Sequence, residues 1–176
     1  MKSGVISQNE GFDPALINAS SIDITLGGKI LMEEYTSEEE YAAFRISLRD
    51  KEPLKMKAYS CDENRPFILR PGDFILAQSE QVFNLPNNIS AEYKLKSSMA
   101  RIGIDHCNAG WCDAGWNGSV LTLELMNTTQ NHEIALHKGD KIGQMVFFKH
   151  EMVPKDKSYA ARGRYNGDKT VSGVKQ

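Results

Sequence analysis

The chain has 176 residues, 40% hydrophobic and 25% charged, with a formal net charge of −2. That length favours one domain with a core that needs no disulfide or metal to fold, and with this net charge nucleic acid is not the expected partner. No apolar run is long enough for a membrane span, the opening MKSGVISQNEGF has no signal-peptide core, and three cysteines, Cys61, Cys107 and Cys112, leave at least one unpaired, so a cytoplasmic, reducing location is expected.

Short strands separated by turns are predicted along most of the chain. Ser21 to Leu26 alternates polar and apolar residues and is expected to stop at Gly27-Gly28. Ser37 to Phe44 opens with Ser-x-x-Glu, the start of a short surface helix or a charged insertion. Pro66 to Leu69 runs into the turn Arg70-Pro71-Gly72-Asp73, and a strand restarts at Phe74 to Ala77. Val82 to Leu85 precedes a turn at Pro86-Asn87-Asn88. Ser97 to Ile102 has room for one or two helical turns. Val120 to Met126, Glu133 to Leu136 and Ile142 to Phe148 read as strands, the last two joined by a turn at Lys138-Gly139-Asp140. Strands at this spacing with little helix point to a β-sandwich or barrel. Beyond Tyr159 the apolar period fades, Gly163, Gly167 and Gly173 appear, and a mobile tail is expected. From Lys149 onward seven cations (Lys149, Lys155, Lys157, Arg162, Arg164, Lys169, Lys175) face three acids (Glu151, Asp156, Asp168). The tail is either a solvated end or a flap over an anionic ligand.

Three segments between Lys94 and Asn127 carry chemistry. Lys96-Ser97-Ser98-Met99-Ala100-Arg101 offers two hydroxyls, the amides of a helical start and a guanidinium, a set suited to phosphate; the plainer reading is a serine cap before a solvated arginine. Ala109-Gly110-Trp111-Cys112-Asp113-Ala114-Gly115-Trp116-Asn117-Gly118 is a glycine-rich loop whose backbone can approach a ligand. Asp113 could accept a sugar hydroxyl there and Trp116 could pack on a sugar or base; equally, both tryptophans could be core. Thr122-Leu123-Glu124 places one carboxylate in an apolar strand. Burial would draw that carboxyl towards neutrality, which suits a proton shuttle, unless its face is simply wet. The zinc deaminase signature of His-x-Glu with Pro-Cys-x-x-Cys is missing, and the spacing of His106, Cys107 and Cys112 is unlike a structural zinc site. His106 and Cys107, adjacent on a strand, would point to opposite faces and make a poor nucleophilic pair.

Seven segments in order resemble the dCTP deaminase family of the trimeric dUTPase superfamily: Ile17 to Gly27, Leu69 to Ala77, Lys96 to Arg101, Ala109 to Gly118, Thr122 to Glu124, Gly139 to Gln144, and Tyr159 with Arg164 to Asp168. The resemblance implies a mostly β, distorted jelly-roll-like barrel (dUTPase-like) with few short helices, a barrel domain over 1–158 and a mobile C-terminal flap over 159–176. It implies a homotrimer with active sites between subunits, zinc-independent hydrolysis of dCTP to dUTP and ammonia, magnesium carried on the triphosphate, and dTTP as a candidate inhibitor. Ser97, Ser98 and Arg101, with Lys96, Met99 and Ala100 in the same element, would hold phosphates. Asp113 would take the 3′-hydroxyl, with Ala109 and Trp116 in the same loop. Thr122, Leu123 and Glu124 would meet the cytosine, with Glu124 as general acid and base. Gln144, Tyr159, Arg164 and Asp168 would close over the nucleotide. The chain departs from the family pattern in four places. Lys96 stands where arginine is commoner, and Asp168 where glutamine is usual. Cys112-Asp113-Ala114-Gly115 replaces Ile-Asp-Pro-Gly. Gly118 to Glu124 is one residue longer than usual, which a bulge before Glu124 would absorb. Alternatives are a bifunctional enzyme giving dUMP, which Ala-Gly-Trp-x-Asp-Ala-Gly resembles, a dUTPase, which lacks the glutamate, and a non-catalytic nucleotide-binding regulator.

Overall fold

The computed structural model describes residues 4–7, 13–33, 46–47, 49 and 53–175. The helix or insertion expected at Ser37 to Phe44 lies outside them. Eleven strands are present among the described residues: β1 (Ile6–Ser7), β2 (Ile22–Glu33), β3 (Met56–Ser60), β4 (Phe67–Leu69), β5 (Phe74–Asn84), β6 (Ile89–Leu95), β7 (Ile104–His106), β8 (Trp111–Cys112), β9 (Asn117–Asn127), β10 (Ile134–Leu136) and β11 (Lys141–Lys149). Nine form one curled sheet in the order β7-β9-β5-β2-β11-β6-β8, with β1 added to β5 and β3 to β2; β4 and β10 pair separately. The protein is therefore mostly β and barrel-like, as expected. Helix is confined to Ser97–Arg101, Tyr159–Arg162 and two 3-10 turns among the described residues.

The long strands bend where polar residues and glycines interrupt the alternation. Gly27-Gly28 does not end β2, which continues to Glu33. Instead Leu26 pairs with Ser79 and Ile30 with Ala77, so β2 takes four steps where β5 takes two. A Cβ at Gly28 would sit 2.9 Å from the Cys61 carbonyl, and one at Gly27 would sit 2.9 Å from Gln78 Cγ, so the glycines mark a bulge with close backbone approach. The two strands expected at Phe74 to Ala77 and Val82 to Leu85 are one strand, β5, offset against β9 between Gln78 and Val82. Its middle is polar, yet Ser79 and Gln81 are fully buried. Gln81 accepts from Thr25 N at 3.0 Å and donates to Thr25 Oγ1 at 2.8 Å. Ser79 Oγ donates to Gln81 O at 2.7 Å and accepts from Leu121 N at 2.8 Å. Burying these groups is tolerable because each finds a partner.

The core runs through Ile24, Leu26, Ile30, Ile75, Phe83, Leu123, Leu125, Ile142 and Met145. Leu123 and Leu125 are wholly buried, each stabilising the fold by about 1.5–3 kcal/mol. Because side chains alternate along β9, Thr122 and Glu124 face the other side. The C-terminal segment follows the barrel surface. Ser158 caps the helix Tyr159–Arg162, accepting from Ala160 N at 3.3 Å, and Val171 is buried.

Candidate active site

An apolar-lined cavity of about 630 Å³ opens beside β9. Thr122 and Glu124 form one wall, Ala109, Asp113 and Trp116 a second, and Tyr159, Tyr165 and Asp168 a third. Leu76 and Phe74 of β5 supply an apolar floor. The strand register explains the first wall. Thr122, Leu123 and Glu124 pair without interruption with Gln78, Ala77 and Leu76. β9 carries one residue without a pairing partner earlier, at Gly118, between the pairs Phe83↔Ser119 and Asn84↔Asn117. Gly118 has φ +66°, a left-handed conformation that glycine reaches without strain. The bulge thus precedes Glu124 and leaves Thr122 on its face.

Glu124 is half-enclosed. Its side chain is 26% exposed, and Oε2 approaches His106 Nε2 at 3.5 Å. That Oε2, His106 Nε2 and the Tyr93 hydroxyl are buried without a hydrogen-bond partner. Burial pushes the Cys112 thiol up to about 12, with Asp113 and Glu124 adding to the shift. Burial also raises the Tyr93 phenol, again with Glu124 contributing.

The glycine-rich loop is held by its own side chains. Trp111 Nε1 donates to Asp113 Oδ1 at 2.9 Å. Trp116 stacks on Phe83 with centroids 5.4 Å apart, and its Nε1 donates to Tyr165 O at 3.1 Å. Trp116 is therefore both core and cavity wall, and it ties the C-terminal segment to the barrel. That segment is fastened further. Val120 N donates to Asp168 O at 2.8 Å, and Gln78 Oε1 accepts from Val171 N at 3.0 Å and Thr170 Oγ1 at 3.1 Å. Asp168 pairs with Lys175 and accepts from Ser172 Oγ. Nothing in the sequence singles out Gln78, whose partners lie more than 90 residues away; Tyr165 and Lys175 fall within the tail read as a flap or a solvated end.

The remaining predicted residues lie elsewhere in the single chain. Ser97, Ser98, Ala100 and Arg101 are exposed on the short helix, with Met99 packed against the core. Lys96 Nζ binds the buried Asp23 carboxylate at 2.6 Å. Lys141 reaches the same carboxylate at 3.1 Å, and Asn18 Nδ2 donates to it at 2.8 Å. Burial pushes Asp23 up, but the hydrogen bonds from Lys96, Asn18 and Lys141 outweigh it and hold the carboxyl below the usual range. Gln144 Oε1 accepts from Ser21 Oγ at 2.9 Å. Arg164 lies at the surface, donating to Lys175 O at 3.4 Å. Leu123 points into the core, away from the cavity. Among the described residues no group of three or more His, Cys, Asp or Glu is placed to hold a metal ion, and no helix is long and apolar enough to cross a membrane.

The curled sheet with a cleft beside β9 defines a dUTPase-like β-barrel. The dUTPase from Streptococcus mutans superposes with a TM-score of 0.52 at 13% identity, covering 85% of this chain and 98% of that one. The 2′-deoxycytidine 5′-triphosphate deaminase from Agrobacterium tumefaciens superposes with a TM-score of 0.62 at 22% identity, covering 81% of this chain and 43% of that one. A family profile described as dCTP deaminase-like matches residues 1–150. A protein of Methanosphaerula palustris named "dCTP deaminase, dUMP-forming" is 35% identical over 164 residues, 93% of this chain and 83% of its own length. The chain belongs to the dCTP deaminase-like family of enzymes.

Proposed function

We propose that the protein converts dCTP to dUMP, releasing ammonia and pyrophosphate. The first step adds water to C4 of the cytosine and breaks the C4–N4 bond. The second adds water at the α-phosphorus and breaks the bond to the β-phosphate. The dUTP product expected from the sequence gives way to the bifunctional alternative because the relative from Methanosphaerula palustris is named dUMP-forming, as is a Hydrogenobaculum protein 36% identical over 82% of this chain. The observation that carries the deamination half is Glu124: a carboxylate set in an apolar wall, one oxygen shut away and the rest of the side chain on the cavity. There it takes the proton of the attacking water and gives it to N3, then takes the proton of the new C4 hydroxyl and gives it to the leaving amine, a role worth roughly 10²–10⁴ in rate. Thr122 flanks it on the same face, and Asp113 and Trp116 cradle the sugar.

The phosphate element stands apart from this cavity within one chain: none of Lys96 to Arg101 lines it. That separation supports a homotrimer in which Ser97, Ser98 and Arg101 of one subunit complete the cavity of its neighbour. Magnesium, which keeps phosphate and water oxygens around it, enters with the triphosphate. Tyr159, Arg164 and Asp168 belong to the segment that covers the nucleotide.

Incubation of the protein with dCTP and magnesium, followed by chromatographic separation of nucleotides, tests the whole reading. Ammonia with dUMP and pyrophosphate is expected. Accumulating dUTP would remove the second step, and a lack of ammonia would remove the first. Glu124→Gln should bind dCTP and release no ammonia.

A further inference from the structure

Behind Glu124 lies a small polar cluster that the reaction as described does not use. His106 ends β7 and is 5% exposed; Tyr93 of β6 is 2% exposed. Their rings pack at 4.6 Å between centroids, tilted by 59°. Tyr93 is held in turn by glycines: a Cβ at Gly143 would lie 2.1 Å from its ring, and one at Gly110 would lie 2.4 Å from its carbonyl oxygen. This cage leaves the imidazole little freedom. It turns Nε2 towards Glu124 Oε2, 3.5 Å away, and both atoms lack any other partner. Leaving a buried donor and a buried acceptor unpaired costs about 1–3 kcal/mol each. Closing the gap to about 3.0 Å makes a hydrogen bond of ordinary length.

We propose that His106 is a positioning residue for deamination: its Nε2–H donates to Glu124 Oε2, clamps the carboxylate and leaves Oε1 to handle the protons of water and substrate. The inference rests on Glu124 being the proton carrier. A carboxylate free to rotate would present either oxygen at variable distance, and misplacement of about 1 Å at a reacting group costs about 10²-fold in rate. The titratable groups around Glu124 are His106 and Cys107 at the end of β7, Tyr93 on β6 and Cys112 on β8. Of these, His106 is the one whose Nε2 stands 3.5 Å from a Glu124 oxygen, so it is the donor that Glu124 can recruit.

The test compares His106→Phe, His106→Gln and Glu124→Gln with the wild type in ammonia release, dCTP binding and the pH profile of kcat. His106→Phe keeps a ring against Tyr93 and removes the donor. It should lower kcat about 100-fold with little change in dCTP affinity. Its acid limb should move to higher pH, because a carboxylate that loses a donor protonates more readily. The glutamine amide restores a donor near the same place and should recover most of the rate and return the acid limb. Unchanged kcat in His106→Phe, or equal losses in both His106 variants with the acid limb unmoved, would overturn the inference while Glu124→Gln remains inactive. Turnover by Glu124→Gln would instead remove the Glu124 reading, and this clamp with it. A histidine side-chain ¹⁵N spectrum of the unmutated protein gives a check that does not depend on how the variants fold. Protonated Nε2 at neutral pH is expected; a proton on Nδ1 alone would overturn the clamp.

Discussion

Replacing Gly115 with alanine should destabilise the protein and slow it together. Gly115 has φ +88°, and an added Cβ would lie 2.0 Å from Ser158 Oγ and 2.7 Å from Asn87 Oδ1. The left-handed backbone penalises a β-carbon by about 1–2 kcal/mol, and forcing a methyl into a filled site adds about 1–3 kcal/mol. Ser158 is 1% exposed and donates to Asn87 Oδ1 at 2.7 Å, so it cannot step aside without losing that bond. The expected loss is about 2–5 kcal/mol, read as a lower urea midpoint at unchanged slope. kcat/KM should fall as well, because Gly115 lies between Asp113 and Trp116 and Ser158 caps the helix bearing Tyr159. A double-mutant cycle isolates the cause. In a Ser158→Ala background the Gly115→Ala penalty should shrink towards the backbone part, a coupling of about 0.5–3 kcal/mol. A loss below about 1 kcal/mol, or an identical loss in both backgrounds, would refute the steric argument.

Asp23→Asn should cost about 1–3 kcal/mol at neutral pH, discounted because Lys96 and Lys141 are partly exposed. The folded Asp23 carboxyl lies below its usual range, so its contribution is complete above the unfolded value and is lost as pH falls through the folded one. Acid titrations of stability should therefore show a smaller drop below about pH 4 in the variant than in the wild type. Mixing inactive Glu124→Gln and Arg101→Ala subunits before reassembly should restore about a quarter of the sites if each site draws on two chains; no recovery would place the site within one chain. Gln78→Ala removes the acceptor for both Thr170 and Val171. It should speed hydrogen exchange at the Val171 amide and raise KM for dCTP without lowering the unfolding free energy by more than about 2 kcal/mol; unchanged exchange would show that the tail is held elsewhere.

Turn chemistry made much of the fold legible. Pro71-Gly72 and Lys138-Gly139 turn where expected, since local backbone preference decides such positions. β6 is hard to read from sequence because buried Ser90 sits beside buried Ala91 and breaks the alternation. β5 was split because Gln78 to Gln81 is polar, and the bonds that make that stretch acceptable inside a barrel come from Thr25 and Leu121. Gly27-Gly28 read as a stop because glycine's local signal is the same for a chain end and a bulge.

The sequence by itself determined the alternation that puts Thr122 and Glu124 on one face of β9 and the order of motifs that marks the family. Both depend on neighbours along the chain, where spacing alone dictates direction. Only the tertiary structure decided that Lys96 spends its charge on Asp23, that Gln78 fastens the C-terminal segment and that His106 stands behind Glu124. Those pairs are separated by 73, 93 and 18 residues. What brings them together is the pairing of distant strands in the curled sheet, which no single stretch of residues encodes.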